Sequence, residues 1–61
     1  MTITAADKLA CAEREIKQRE RVYERLIQRG DMSVEKARRE LALMRAIAED
    51  YRAQAEGERL L

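Results

Sequence analysis

The sequence predicts an all-α protein, an antiparallel helical hairpin that dimerises into a four-helix bundle. Three observations favour this fold. The 61 residues include no proline and are rich in Ala, Glu, Arg and Leu, with 41% charged side chains, a composition typical of long helices and coiled coils. Only one segment, residues 30–33, interrupts the helical pattern. Apolar residues recur at heptad spacing on both sides of this segment, as they do in paired helices.

The first helix is predicted from about residue 5 to residue 29. Thr4 is a suitable N-cap, and Asp7, three residues later, supplies the acidic member of a capping box. The interior contains good helix formers throughout. Its inner face carries two interleaved rows of residues at heptad spacing: Leu9, Ile16 and Tyr23, and Ala5, Ala12, Arg19 and Leu26.

A turn and a second helix follow. Gly30 suits the left-handed position that ends a helix, and Ser33 suits the N-cap of the next one. The second helix is predicted from about residue 34 to residue 56, with Gly57 as its stop and residues 57–61 as a frayed tail. The short connection makes the two helices antiparallel, so the whole chain is a single hairpin domain. The inner rows of the second helix are Val34, Leu41, Ala48 and Ala55, and Ala37, Met44 and Tyr51.

Dimerisation is predicted because the apolar stripes are broader than one pair of helices can cover. Below about 70–80 residues, a core rarely supplies more than about 3–5 kcal/mol without disulfides, a metal or oligomerisation. One cysteine and no histidine exclude the first two, so we expect a homodimer. The apolar side chains left beside the seam, and therefore the candidate dimer interface, are Cys11, Val22, Leu26, Leu43 and Ile47.

Catalysis is not expected. The sequence has no histidine, no glycine-rich phosphate loop and no nucleophile elbow, and we expect neither a cofactor nor a metal. Cys11 is expected to be a small buried hydrophobe rather than a reactive thiol. No apolar run approaches the roughly 20 residues that cross a bilayer, and the first residues do not resemble a signal peptide. We therefore expect a cytoplasmic protein without a membrane partner.

Four basic residues fall on one side of the first helix: Arg14, Lys17, Arg21 and Arg25. Like charges four residues apart destabilise a helix by roughly 0.2–0.5 kcal/mol per pair, so this basic stripe is a candidate binding site for an acidic protein or a phosphate backbone. The alternative, which we favour, is an ordinary solvated face in which Glu13 pairs with Lys17. The stripe then assists only the approach of a partner.

The other charged side chains are expected to find partners within the hairpin. In the second helix, Arg45 is predicted to pair with Glu49, and an equivalent pair one heptad later completes a self-neutralised outer face. Arg19 interrupts an apolar row, so its guanidinium is expected to pair with Glu15 or, across the hairpin, with Glu40. Arg19 then either fixes the register of the helices or lies at the edge of the seam.

Parts of the chain resemble short helical proteins of bacteriophage and prophage genomes, whose function is unassigned. The similar segments include Lys8-Leu-Ala-Cys-Ala-Glu-Arg-Glu-Ile-Lys17, Gly30-Asp-Met-Ser33 and Ala46-Ile-Ala-Glu-Asp-Tyr-Arg52. This chain has Glu24 where those proteins often have a proline. The resemblance implies a phage or mobile-element origin and a bacterial host cell. In architecture alone, the hairpin also resembles small plasmid copy-control RNA-binding proteins that form four-helix bundles.

These observations predict a small non-catalytic interaction protein of phage origin that binds a host or phage protein through a helix face. The alternative is a nucleic-acid-binding four-helix-bundle dimer, in which the basic stripe contacts RNA or DNA. The formal net charge of +1 argues against a protein that coats nucleic acid, because counterion release requires a clear excess of Lys and Arg.

Overall fold

The protein is an all-α helical hairpin, as the sequence predicts. In a computed structural model that describes residues 1–60, α1 (Ala5–Gln28) and α2 (Val34–Arg59) run antiparallel and are joined by residues 29–33. The described part of the chain contains no strand. The Cα extents of 48 × 21 × 13 Å describe a rod that is two helices wide and one helix thick. Leu61, at the end of the predicted tail, lies outside the described residues.

The capping box predicted for the start of α1 is present. The Thr4 hydroxyl oxygen accepts a hydrogen bond from the Asp7 backbone N–H at 3.1 Å, and the Thr4 backbone N–H donates to the Asp7 carboxylate at 3.0 Å. The bond from the Thr4 backbone, followed by that of its side chain, lowers the pKa of Asp7 below its ordinary value. The box therefore contributes stability above pH 3.8, which is lost as the pH falls through the lowered pKa.

The turn between the helices has the conformation expected of its glycine. α1 ends at Gln28, one residue earlier than predicted, and Gly30 adopts a φ of 79°. The Gly30 N–H donates to the Ile27 carbonyl at 3.0 Å, and the following N–H donates to the Leu26 carbonyl at 2.8 Å. These two bonds form a Schellman motif. Ser33 then caps α2, since its hydroxyl oxygen accepts from a backbone N–H in the first turn at 3.1 Å.

The predicted end of the second helix at residue 56 is wrong. α2 continues through Gly57 to Arg59, and Gly57 does not adopt the positive φ of a helix stop. The additional residues bring Glu58 to the start of α1, where its carboxylate accepts a hydrogen bond from the Ala5 backbone N–H at 3.1 Å. A carboxylate at a helix N-terminus satisfies a free N–H and is stabilised by the helix dipole, which explains why the helix does not stop at the glycine.

The seam between the helices is narrow and lined by small residues. The buried apolar residues are all alanines, and no large side chain is fully buried in the described residues. The larger inner-row side chains, such as Ile16 and Leu41, are half-buried. Alanines let the two backbones approach closely but leave the longer side chains at the edges of the contact. The buried residues are Ala5, Ala12, Ala37 and Ala48.

Candidate interaction surfaces

Two long surfaces flank the seam, one on each side of the hairpin, and they differ in composition. Projection at 100° per residue places acidic residues of α1 and arginines of α2 on one side, and apolar side chains together with the Glu15–Arg19 ion pair on the other. We define the ion-pair flank as Glu13, Glu20, Arg45 and Arg52, and the apolar flank as Cys11, Val22, Leu26, Leu43 and Ile47.

Two ion pairs bridge the helices on the ion-pair flank. Arg45 contacts Glu20 at 3.1 Å, and Arg52 contacts Glu13 at 2.9 Å. The two acids lie two helical turns apart, as do the two arginines, so both pairs form at the same alignment of α1 against α2. The predicted self-neutralised outer face of α2 is therefore wrong for Arg45, which reaches across the seam instead of pairing with Glu49. Arg52 also crosses, although it additionally contacts Glu49 at 2.7 Å.

The apolar flank has no such bridges. Leu43 and Ile47 are 45% and 44% exposed, while Val22 and Leu26 are half-buried. Projection places the five residues of the predicted dimer interface on this side of the hairpin. Cys11 is exposed in the single chain, so the buried position expected of it requires the dimer. Its neighbour Ala12 occupies the seam, so the Cys11 side chain projects about 100° away from it.

A shallow groove opens on the apolar flank near the free ends of the helices. Its lining is partly apolar, with Ile3, Cys11, Met44 and Tyr51, and partly charged, with Asp7, Lys8, Glu15 and Arg19. The Lys8 ammonium lies 5.6 Å from the centroid of the Tyr51 ring, within the range of a cation–π contact. Cationic and apolar groups therefore meet at the rim of this groove.

Arg19 pairs within its own helix. Its Nε donates to the Glu15 carboxylate at 2.8 Å, one turn earlier, and this bond is the main reason that the pKa of Arg19 lies above its ordinary value. Of the two predicted partners, Glu15 is correct and Glu40 is not used. Because the pair does not cross the seam, the register is reported by Glu13 and Glu20 rather than by Arg19.

The basic stripe lies on the outer face of α1. Its four side chains line a single shallow depression with Gln18 and Val22, and none of the four forms an ion pair among residues 1–60. The Glu13–Lys17 pair that we predicted is absent from that set, because Glu13 is held by Arg52. The stripe is thus less neutralised than the sequence suggests. Its residues are Arg14, Lys17, Arg21 and Arg25.

The described residues contain no cluster of three or more His, Cys, Asp or Glu side chains that could hold a metal ion. Tyr23 and Tyr51, the two aromatic residues, are half-buried beside the seam, in agreement with their heptad spacing. The Tyr51 ring also has the Lys8 ammonium over it. The two surfaces that carry the sequence-predicted site residues are the apolar flank and the basic stripe.

The hydrogen bond between Ala5 and Glu58 was not predicted from the sequence. Glu58 was assigned to the frayed tail, yet its carboxylate caps α1. The signal that could have found it is the similar length of the two helices, which places the last turn of α2 beside the first turn of α1. A carboxylate in that turn is the natural partner of a free backbone N–H. Gly57 concealed this signal, because a glycine near a helix end usually indicates a stop.

Comparison with known proteins gives no match of this chain to a family model, to a curated protein or to a solved structure. In residues 1–60, neither helix combines the length and apolar character of a membrane span. The phage or prophage origin suggested by the resemblance stays a prediction, since no comparison bears on it.

Proposed function

We propose that the protein is a small non-catalytic interaction protein that forms a homodimeric four-helix bundle through its apolar flank. The observation that carries this proposal is the exposure of Leu43 and Ile47 beside Val22 and Leu26. Branched apolar side chains grouped on one surface are typical of a protein contact. The Glu15–Arg19 ion pair beside them stays within α1 and leaves Leu43 and Ile47 exposed. Two such flanks related by a two-fold axis cover each other.

The accessible surface supports the same conclusion. The chain exposes 4976 Å², whereas a compact monomer of 7.1 kDa exposes about 4,100 Å². The excess is about 900 Å² per chain, close to the roughly 800 Å² that each partner buries in a standard protein interface. Dimerisation through the apolar flank would bring the exposed surface per chain to that of an ordinary globular protein.

The proposed partner is another protein, from a phage or its bacterial host, as the sequence resemblance implies. In a bundle built on the apolar flank, the outer face of α1 and the ion-pair flank stay accessible. A helix face outside the dimer contact is therefore free to bind the partner. The proposal assigns no catalytic step to the chain.

Two measurements test this function. The melting temperature of a folding-coupled dimer rises with protein concentration, and we expect such a rise between micromolar and millimolar chain. Tagged protein should then capture the same partner from a bacterial lysate with and without nuclease treatment. A melting temperature independent of concentration contradicts the dimer. Capture that disappears after nuclease treatment contradicts the protein partner.

A second candidate function is nucleic-acid binding by the dimer. The observation that favours it is the absence of ion pairs at Arg14, Lys17, Arg21 and Arg25 among the described residues. If four phosphates are neutralised per chain, log K should fall with log salt with a slope of about −3 to −4 per chain for duplex DNA. Binding that changes little with salt eliminates this function.

A further inference from the structure

The basic stripe has the dimensions of a helix-binding surface. Its cations follow one another at steps of three, four and four residues, so they span about 16 Å of α1 at 1.5 Å per residue. Residues three and four apart on a helix lie about 5–6 Å from each other. Acidic side chains at the same steps on a second helix would therefore face the stripe one to one.

The depression that the cations line also includes Gln18 and Val22. Projection at 100° per residue places Gln18 beside the cations and Val22 at their edge, on the side of the apolar flank. A helix that lies along the four cations therefore needs no contact with the apolar flank. Its carboxylates can meet the cations while Gln18 offers an amide beside them.

A neighbouring carboxylate borders the surface. Glu24 lies one heptad after Lys17 on the same side of α1 and forms no ion pair among residues 1–60. A free carboxylate beside the cations repels a phosphate backbone, whereas a partner helix about 10 Å across can present its own basic or polar side chain to it. The two tyrosines are half-buried and do not line the stripe, so no aromatic ring lies among the cations for a single strand to stack on.

We propose that the stripe of Arg14, Lys17, Arg21 and Arg25 binds an acidic helical segment of a partner protein. The carboxylates of that segment are spaced three and four residues apart, as the cations of the stripe are. This inference rests on the proposed function, since it names the surface and the chemistry of the protein partner. It predicts one segment per chain, because each chain carries one stripe.

The test uses three labelled probes and the full chain. The first probe is a helical peptide with four glutamates at steps of three, four and four residues, which are the steps of the stripe. The second is the same peptide with glutamine at each glutamate, and the third is a short RNA duplex. The variant is Lys17→Gln with Arg21→Gln, and its matched control is Arg38→Gln with Arg39→Gln. All four side chains are exposed and outside any ion pair among residues 1–60, and both variants lose two positive charges.

We expect saturable binding of the acidic peptide, one per chain, with the glutamine peptide bound at least about tenfold more weakly. The stripe variant should weaken binding about tenfold, since each exposed charge pair contributes modestly, while the control stays within about twofold. Equal losses in both variants, no binding of the acidic peptide at low salt, or tighter binding of the RNA duplex overturns the inference.

The same samples separate this inference from the proposed function. Sedimentation of both variants should give the mass of the unsubstituted protein, because the stripe lies outside the apolar flank. Loss of peptide binding by a protein that stays dimeric supports the stripe as the site. A monomeric wild-type chain that still binds the peptide contradicts the dimer and leaves the stripe intact.

Discussion

The two flanks of this hairpin are built on the same pair of helices and differ in how their side chains meet water. On the ion-pair flank, long arginine arms cross the seam and keep their charged ends hydrated, so apolar stems cover the groove. On the apolar flank, short branched side chains end at the surface, and Ile47 is 44% exposed. The ion-pair flank is bridged within a single chain, and the apolar flank is the surface that we propose a second copy covers.

The two flanks also contribute differently to the register of the helices and to the free energy of association. Exposed ion pairs contribute only about 0.2–1 kcal/mol each, but Glu13–Arg52 and Glu20–Arg45 share one register and therefore favour it over slipped arrangements. Apolar burial contributes roughly 25 cal/mol per Å², so covering the apolar flank stabilises the protein more. On this proposal, charge pairs align the two helices and apolar surface supplies most of the free energy of association.

The largest expected effect is that of placing a charge on the apolar flank. In a dimer, Ile47→Glu buries a carboxylate without a partner, which costs several kcal/mol, so we expect the dimer dissociation constant to rise at least about 100-fold. Sedimentation velocity measures this change. Ala46→Glu is the matched control, because the substitution adds the same charge at a residue that is exposed on the outer side of α2. An unchanged dissociation constant for Ile47→Glu would show that the apolar flank is not the dimer contact.

The single thiol reports coverage of the apolar flank directly. Cys11 is exposed in one chain, so maleimide should modify it freely in the monomer and slowly in the dimer. If nine-tenths of the chains are dimeric and only the monomer reacts, modification is about tenfold slower than in the Ile47→Glu variant. Equal rates for the two proteins would place Cys11 outside the covered surface.

Substitutions at the two glycines, which lie outside both flanks, should change folding stability without changing association. Gly57 is helical, and a methyl group added there meets nothing within 4 Å. Gly57→Ala should raise the free energy of unfolding by about 0.5–1 kcal/mol without changing the oligomeric state. Gly30→Ala should lower it, since Gly30 has a φ of 79°. Chemical denaturation measures both changes, and a destabilising Gly57→Ala would contradict the observed helix end.

The smallest effect is expected on the ion-pair flank. Glu20→Gln removes the pair with Arg45, whose side chain is 56% exposed, and should lower the free energy of unfolding by about 0.2–1 kcal/mol. The double variant Glu20→Arg with Arg45→Glu restores a pair and should recover most of the loss. Dissociation of the dimer by Glu20→Gln alone would show that the two flanks do not have separate roles.

Local features of the fold could be predicted from the sequence because their signals lie within a few residues. Thr4 and Asp7 form a capping box at a spacing of three residues, and Gly30 ends α1 because it adopts the left-handed conformation at low cost. Arg19 was assigned Glu15 as one of two partners, again from a separation of one turn. Each of these features depends only on residues within about one helical turn of each other.

Contacts between the helices could not be predicted in the same way. Arg45 has Glu49 at a favourable spacing in its own helix, yet it contacts Glu20, a choice that depends on the lateral position of α1. Glu58 caps Ala5 for the same reason. Cys11 was predicted to be buried from its alanine neighbours, whereas the seam is narrow enough that only Ala12 enters it.

The central claim is that the apolar flank is covered by a second copy of the chain, and sedimentation equilibrium tests it most directly. At micromolar to millimolar concentration, we predict a mass approaching twice the 7.1 kDa of one chain, with dissociation on dilution. A mass of one chain over that whole range, together with a cooperative melting curve that does not move with concentration, would contradict the account.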